Sequence, residues 1–167
     1  IALEIAEGMK YLHSQAPPII HRDLKPENLL VWKQNLRVKI ADFGLAKVRT
    51  HTMTMTGQAG TVHYMAPETL QESTNISLGV DVYSYGIMLW EIYEQTQVKR
   101  LWAKRKSITH WTQFTQRVLQ GLRPPLPSHI DMTVQQELYI KIMHECWYED
   151  PKKRPSISHV CLVLTIV

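Results

Sequence analysis

From Asp81 the chain enters a stretch in which nearly every residue is apolar. Val82, Tyr85, Leu89 and Ile92 recur at helical spacing on one face, and the positions around them are mostly apolar too. A helix that is hydrophobic on all sides must be covered on all sides. The pattern therefore predicts a central, buried helix with the rest of the chain packed about it.

The remaining elements can be read outward from that core. Ile1, Ile5, Met9 and Leu12 alternate with Glu4, Glu7 and Lys10, which predicts an opening amphipathic helix that ends before Pro17-Pro18. It has no N-cap or preceding turn, so residue 1 reads as a cut through an element already under way. Leu29 to Trp32 and Arg37 to Ile40 are short β-rich runs joined by four residues, the signature of a hairpin. Residues 45 to 63 carry almost no periodicity and read as a long polar loop. Helices are expected near Trp111 to Leu119, at 133 to 148 and at 156 to 166, with a Pro-rich break at 124 to 127.

Of the 167 residues, 44% are hydrophobic and 20% charged, the composition of one globular domain with a real core. The apolar run Val160 to Leu164 falls far short of the roughly 20 residues that cross a bilayer. No secretory pattern opens the chain. Cys146 and Cys161 lack metal-site spacing and read as core residues. The expected location is cytoplasmic, with nuclear access open. The net charge of +4 owes everything to Lys99, Arg100, Lys104, Arg105 and Lys106, since taking five from +4 leaves −1. That run is read as a solvated loop between helices, and no nucleic-acid partner is expected.

The chemistry-bearing stretch is His21-Arg22-Asp23-Leu24-Lys25-Pro26-Glu27-Asn28, followed across the hairpin by Asp42-Phe43-Gly44 and then by Ala66-Pro67-Glu68. Each tripeptide alone is a weak signal, but their order and spacing over nearly the whole chain are specific. On these motifs the chain resembles the eukaryotic protein kinase family. The resemblance implies an α+β fold: the mainly α-helical C-terminal lobe of a kinase domain, with a short β-hairpin bearing the catalytic site.

In the words of that resemblance, Asp23 is the catalytic base and Lys25 stabilises the phosphoryl group in transfer. Asn28 and Asp42 hold Mg2+, whose hard ion prefers oxygen ligands, and the hairpin between them can bring both to one end of its strands. Leu30 forms the apolar floor under the adenine of ATP, and Thr61 positions the substrate. Arg22 receives a phosphate carried by Thr50, Thr52, Thr54 or Thr56. Glu68 and Arg154 form a buried ion pair, Asp81 braces the catalytic-loop backbone, and His21 packs rather than acting as a base. Lys25 and Thr61 favour serine/threonine specificity over tyrosine, and residues 146 to 155 resemble the tyrosine-kinase-like group.

One departure stands out. No Gly-x-Gly-x-x-Gly loop and no Val-Ala-Ile-Lys-like strand occur in the chain. The N-terminal lobe that would cover ATP is therefore expected to be absent, as a missing partner of this lobe. The resemblance implies protein substrates for the full-length parent and negligible activity for these 167 residues alone. The alternative class is a pseudokinase or binding scaffold, against which the intact Asp23, Lys25, Asn28 and Asp42 weigh.

Overall fold

The structure is a computed structural model that describes residues 1–32, 34, 37–42, 61–71, 73, 76–103, 110–127 and 132–167. Seven helices and one hairpin are present among them: α1 (Ala2–His13), β1 (Leu29–Trp32), β2 (Arg37–Ile40), α2 (Pro67–Leu70), α3 (Gly79–Glu94), α4 (Val98–Ala103), α5 (Trp111–Leu119), α6 (Val134–Cys146) and α7 (Ile157–Ile166). Single 3-10 turns occur at Pro26–Asn28, Thr61–Tyr64 and Pro151–Lys153. This mainly helical arrangement with a two-stranded antiparallel sheet is the α+β architecture expected.

The centre is α3, buried without a break from Val80 to Trp90. It packs against α6, while α1 packs against α7 and lies across β2. Gly86 makes the α3–α6 approach possible. A β-carbon there would fall 2.7 Å from Cys146 Cβ and 3.3 Å from the Met143 carbonyl, so the two helices meet where one of them has no side chain.

Local chemistry sets the helix ends. Thr133 and Gln136 form a capping box at the start of α6, the Thr133 hydroxyl accepting from the Gln136 amide and the Gln136 side chain accepting from the Thr133 amide. Ser156 caps α7 by accepting from His159 N. Gln95 closes α3 in the left-handed region, with φ 50°.

The hairpin pairs Leu29 with Ile40 and Trp32 with Arg37. Two strands alone are marginal, and here α1 supports them. Glu4 accepts from the Val38 amide at 2.6 Å and pairs with Arg37 at 3.1 Å.

Three expectations need correction. The basic run does not begin as a loop: Val98–Ala103 is helical, because Val98 and Trp102 stand one turn apart and both are buried. Lys104, Arg105 and Lys106 lie outside the described residues. Ile92, grouped with the buried face of α3, is 36% exposed; it faces a cavity it shares with Leu29, Val31 and Gln95. Ile1 is exposed at the N-cap and takes no part in the buried stripe of α1, which runs through Ile5, Met9 and Leu12. Cys146 and Cys161 are buried free thiols, and burial pushes both thiols up from their ordinary range.

Candidate active site

Asp81, in the first turn of α3, organises the loop after α1. Its Oδ2 accepts from His21 N and its Oδ1 from Arg22 N, each at 2.8 Å. His13 Nε2 lies 3.0 Å from Oδ2. The carboxylate is almost fully buried, and these donors, with the helix N-terminus, meet the cost of burying it. Arg22 adopts φ 69°, a left-handed conformation that costs a residue with a β-carbon roughly 1–2 kcal/mol. The paired amide bonds to Asp81 hold it there.

His21 has no exposed surface. Its Nδ1 accepts from the Asp23 amide at 3.3 Å and its Nε2 lies 2.9 Å from the Ala41 carbonyl. With an amide donor at Nδ1, the proton sits on Nε2 and points at the carbonyl. The ring thus stitches the loop to the end of β2, and neither nitrogen faces a reacting group.

Asp23, Lys25 and Asn28 converge. Lys25 Nζ lies 2.8 Å from Asp23 Oδ2. Asn28 Nδ2 donates to the Asp23 carbonyl at 2.7 Å and to Oδ2 at 3.1 Å. The other carboxylate oxygen, Oδ1, is buried and has no hydrogen-bond partner among the described residues. One side of the carboxylate is therefore fixed by a cation and an amide, and the other is buried without a partner among the described residues.

The open end of the hairpin places Asn28 beside the chain that leads to Asp42, because Ala41 N donates to Asn28 O at 2.8 Å. Asp42 is exposed and left-handed, with φ 60°. With its amide nitrogen spent on Asp23, Asn28 has its side-chain oxygen left to offer. The described residues contain no group of three or more His, Cys, Asp or Glu that could enclose a metal. One carboxylate and one amide oxygen nonetheless suit Mg2+, which takes few protein ligands and completes its shell with water and phosphate oxygens. Leu30 is exposed on β1 and lines an open hollow with Trp32 and Gln34.

Tyr64, in the 3-10 turn before α2, and Glu68, in the first turn of α2, tie this stretch to the core. Tyr64 donates its hydroxyl to Glu91 Oε1 at 2.8 Å, and Ser84 donates to the Tyr64 carbonyl at 2.8 Å. Burial, reinforced by Glu91, pushes the Tyr64 hydroxyl far above its usual range. Burial likewise raises the Glu91 carboxyl, against the bonds from Val98 N and Tyr64. Arg154 Nη1 and Nη2 bond Glu68 Oε1 and Oε2 at 2.6 and 2.9 Å, and the same guanidinium also reaches the carbonyls of Tyr148 and Gly79.

Thr61 opens the 3-10 turn that contains Tyr64; its side chain is outside the description. Phe43, Gly44, Thr50, Thr52, Thr54 and Thr56 lie outside the described residues. Arg22 Nε is buried with no hydrogen-bond partner among the described residues. The sequence alone does not single out His13 and Glu91. Their partners lie 68 and 27 positions away, so no local pattern marks them.

Residues 1–163 match the model of the protein kinase domain. The chain belongs to the protein kinase family. It is 38% identical over 98% of its length to a putative serine/threonine-protein kinase/receptor, R826, of Acanthamoeba polyphaga mimivirus. To the human receptor-interacting serine/threonine-protein kinase 4 it is 37% identical over 93% of its length, and to the Arabidopsis thaliana serine/threonine/tyrosine-protein kinase HT1 37% over 98%. These matches span only 9%, 18% and 38% of the relatives' own lengths. Protein kinases as a family use ATP and Mg2+. No helix among the described residues is long and apolar enough to cross a membrane.

Proposed function

We propose that this chain is the C-terminal, catalytic-loop-bearing lobe of a protein serine/threonine kinase that transfers the γ-phosphate of ATP to serine and threonine hydroxyls of protein substrates. The observation that carries this reading is the convergence of Lys25 and Asn28 on one oxygen of Asp23, which leaves the other without a partner.

In this reading the Asp23 carboxylate accepts the hydrogen bond of the incoming hydroxyl, aims its oxygen and takes its proton as the bond from that oxygen to the γ-phosphorus forms and the bond from the γ-phosphorus to the departing ADP oxygen breaks. Lys25 holds the carboxylate in orientation from 2.8 Å, and lends its charge to the phosphoryl group in flight. Asn28 and Asp42 supply oxygens to Mg2+, which when bound neutralises charge on the phosphates. Leu30 presents an apolar surface to adenine. Thr61 positions the substrate beside Asp23 and Lys25, and with Lys25 favours serine/threonine over tyrosine acceptors. The serine/threonine names of the relatives support the same choice, and the tyrosine-kinase-like group is the subgroup proposed.

The buried, unmet Nε of Arg22 supports a role in receiving a phosphate on Thr50, Thr52, Thr54 or Thr56. Because no glycine-rich loop or partner lysine occurs in these 167 residues, the reaction needs a lobe they do not contain, and the chain alone has negligible activity. An intracellular, cytoplasmic setting with nuclear access open belongs to the same proposal.

The test is a phosphorylation assay of the intact protein with ATP and Mg2+ on serine, threonine and tyrosine peptides. Asp23→Asn should reduce kcat by roughly 100- to 10,000-fold. Undiminished turnover in that variant, or phosphotyrosine as the main product, would sink the reading.

A further inference from the structure

The basic run from Lys99 has no part in the chemistry above, yet its first turn is fastened beside the catalytic loop. Val98 and Trp102 are buried, and the Trp102 ring meets Phe114 at 5.7 Å. The Val98 amide donates to Glu91 Oε1 at 2.6 Å, the same oxygen that takes the Tyr64 hydroxyl. Lys99 follows directly in the chain, so its starting point is set by these contacts. Its Nζ lies 3.9 Å from Glu27 Oε1, with the two side chains 47% and 54% exposed.

Glu27 stands immediately before Asn28, whose side chain touches Asp23. The Glu91 carboxyl feels Glu27 and Lys99 in opposite directions, so the three charges share one neighbourhood. An extended peptide advances about 3.3–3.6 Å per residue. A substrate whose hydroxyl reaches Asp23 therefore carries its nearest neighbours within the ~8 Å over which exposed charges act at physiological salt.

The geometry points to Lys99 as a specificity-determining residue: its ammonium takes the place beside Glu27 that a basic side chain of the substrate would otherwise occupy. The consequence is a kinase that gains nothing from arginine beside the acceptor. This inference rests on the kinase reading, and its test is arranged to separate the two.

Two serine peptides that differ only in Arg or Ala at the residues flanking the acceptor are compared on the intact protein, by kcat/KM and by equilibrium binding. The Arg-to-Ala preference should be close to one in the wild type. It should rise about two- to fivefold in Lys99→Ala and in Lys99→Gln, the range expected of one exposed ion pair. It should return to the wild-type value when Glu27→Gln is added, and fade at high salt. A preference unchanged by either Lys99 variant, or one that persists after Glu27→Gln, overturns the proposal. Binding needs no turnover. A protein without kinase activity that still shows the Lys99-dependent preference in binding keeps Lys99 in this role and discards the kinase reading. Turnover with an unaltered preference does the reverse.

Discussion

Arg154 grips Glu68 in a bidentate ion pair, 86 residues away in the chain, with contacts of 2.6 and 2.9 Å. The guanidinium side chain has no exposed surface and the carboxylate is 13% exposed. The pair fastens α2, whose first turn carries Pro67 and Glu68 of the Ala66-Pro67-Glu68 motif, to the turn between α6 and α7.

Truncating one partner of such a pair strands the other charge in a poor dielectric. Arg154→Leu should lower unfolding free energy by ~3–5 kcal/mol, and Arg154→Leu with Glu68→Leu should recover much of that loss. Urea unfolding of the single and double variants gives the comparison. A double variant as unstable as the sum of the singles would show that the charges are not coupled.

Asp81→Asn replaces one acceptor oxygen by an NH2 group that confronts a backbone N–H. At least one of the amide bonds that hold His21 and Arg22 is then lost, at ~1–3 kcal/mol, and Arg22 is free to leave its left-handed conformation. Hydrogen exchange at those two amides should accelerate, with kcat falling in the same variant. Exchange as slow as in the wild type would contradict the bracing role of Asp81.

At Gly86 two effects oppose each other. Alanine gains ~1 kcal/mol of helix propensity, but its β-carbon would collide with Cys146 Cβ at 2.7 Å and press on a backbone carbonyl at 3.3 Å. Neither atom lies at the end of a flexible side chain. Overpacking of this kind costs ~1–3 kcal/mol, so Gly86→Ala should destabilise on balance. A raised denaturation midpoint would show that α3 and α6 can move apart more cheaply than their packing implies.

Alkali should unfold the protein through its buried acids. Burial pushes the Tyr83 hydroxyl up to about 12, against the pull of Arg123 and Arg154, and pushes Tyr64, Tyr85 and Tyr139 up as well. The Cys146 thiol is raised by the same cause. In the unfolded chain these groups ionise near pH 8.5 for cysteine and about 10 for tyrosine. Raised native values mean that the folded state binds more protons than the unfolded one. Their contribution to stability is therefore complete below the unfolded values and lost as pH rises through the folded ones. Denaturant midpoints should fall from about pH 8.5 upward, with tyrosinate absorbance from these four residues appearing together with unfolding. A midpoint that holds constant through this range would contradict it.

Much of the fold could be read locally. Both strands announce themselves as short β-rich runs joined by four residues, and α1 through its helical spacing and the prolines that follow it. The basic helix α4 is not legible locally: its apolar anchors, Val98 and Trp102, are only two residues set among conspicuous charges. Ile92 shares the periodic face of α3 yet is 36% exposed, because periodicity says which face a residue shares, and not whether another element covers the end of that face. At the candidate site the motif residues stand out by type and order. His13 and Glu91 do not, since a buried histidine and a half-buried glutamate acquire meaning only from Asp81 and Tyr64, distant partners that the fold delivers.

The grip of Glu4 on the amide of Val38 bears on how copies of this chain could meet. That N–H belongs to the outward side of β2, where a further strand from another molecule would otherwise be templated. With a carboxylate already seated there and α1 lying alongside, growth of the sheet past β2 is blocked. Association, where it occurs, has to proceed through side-chain surfaces and not by strand addition at that border.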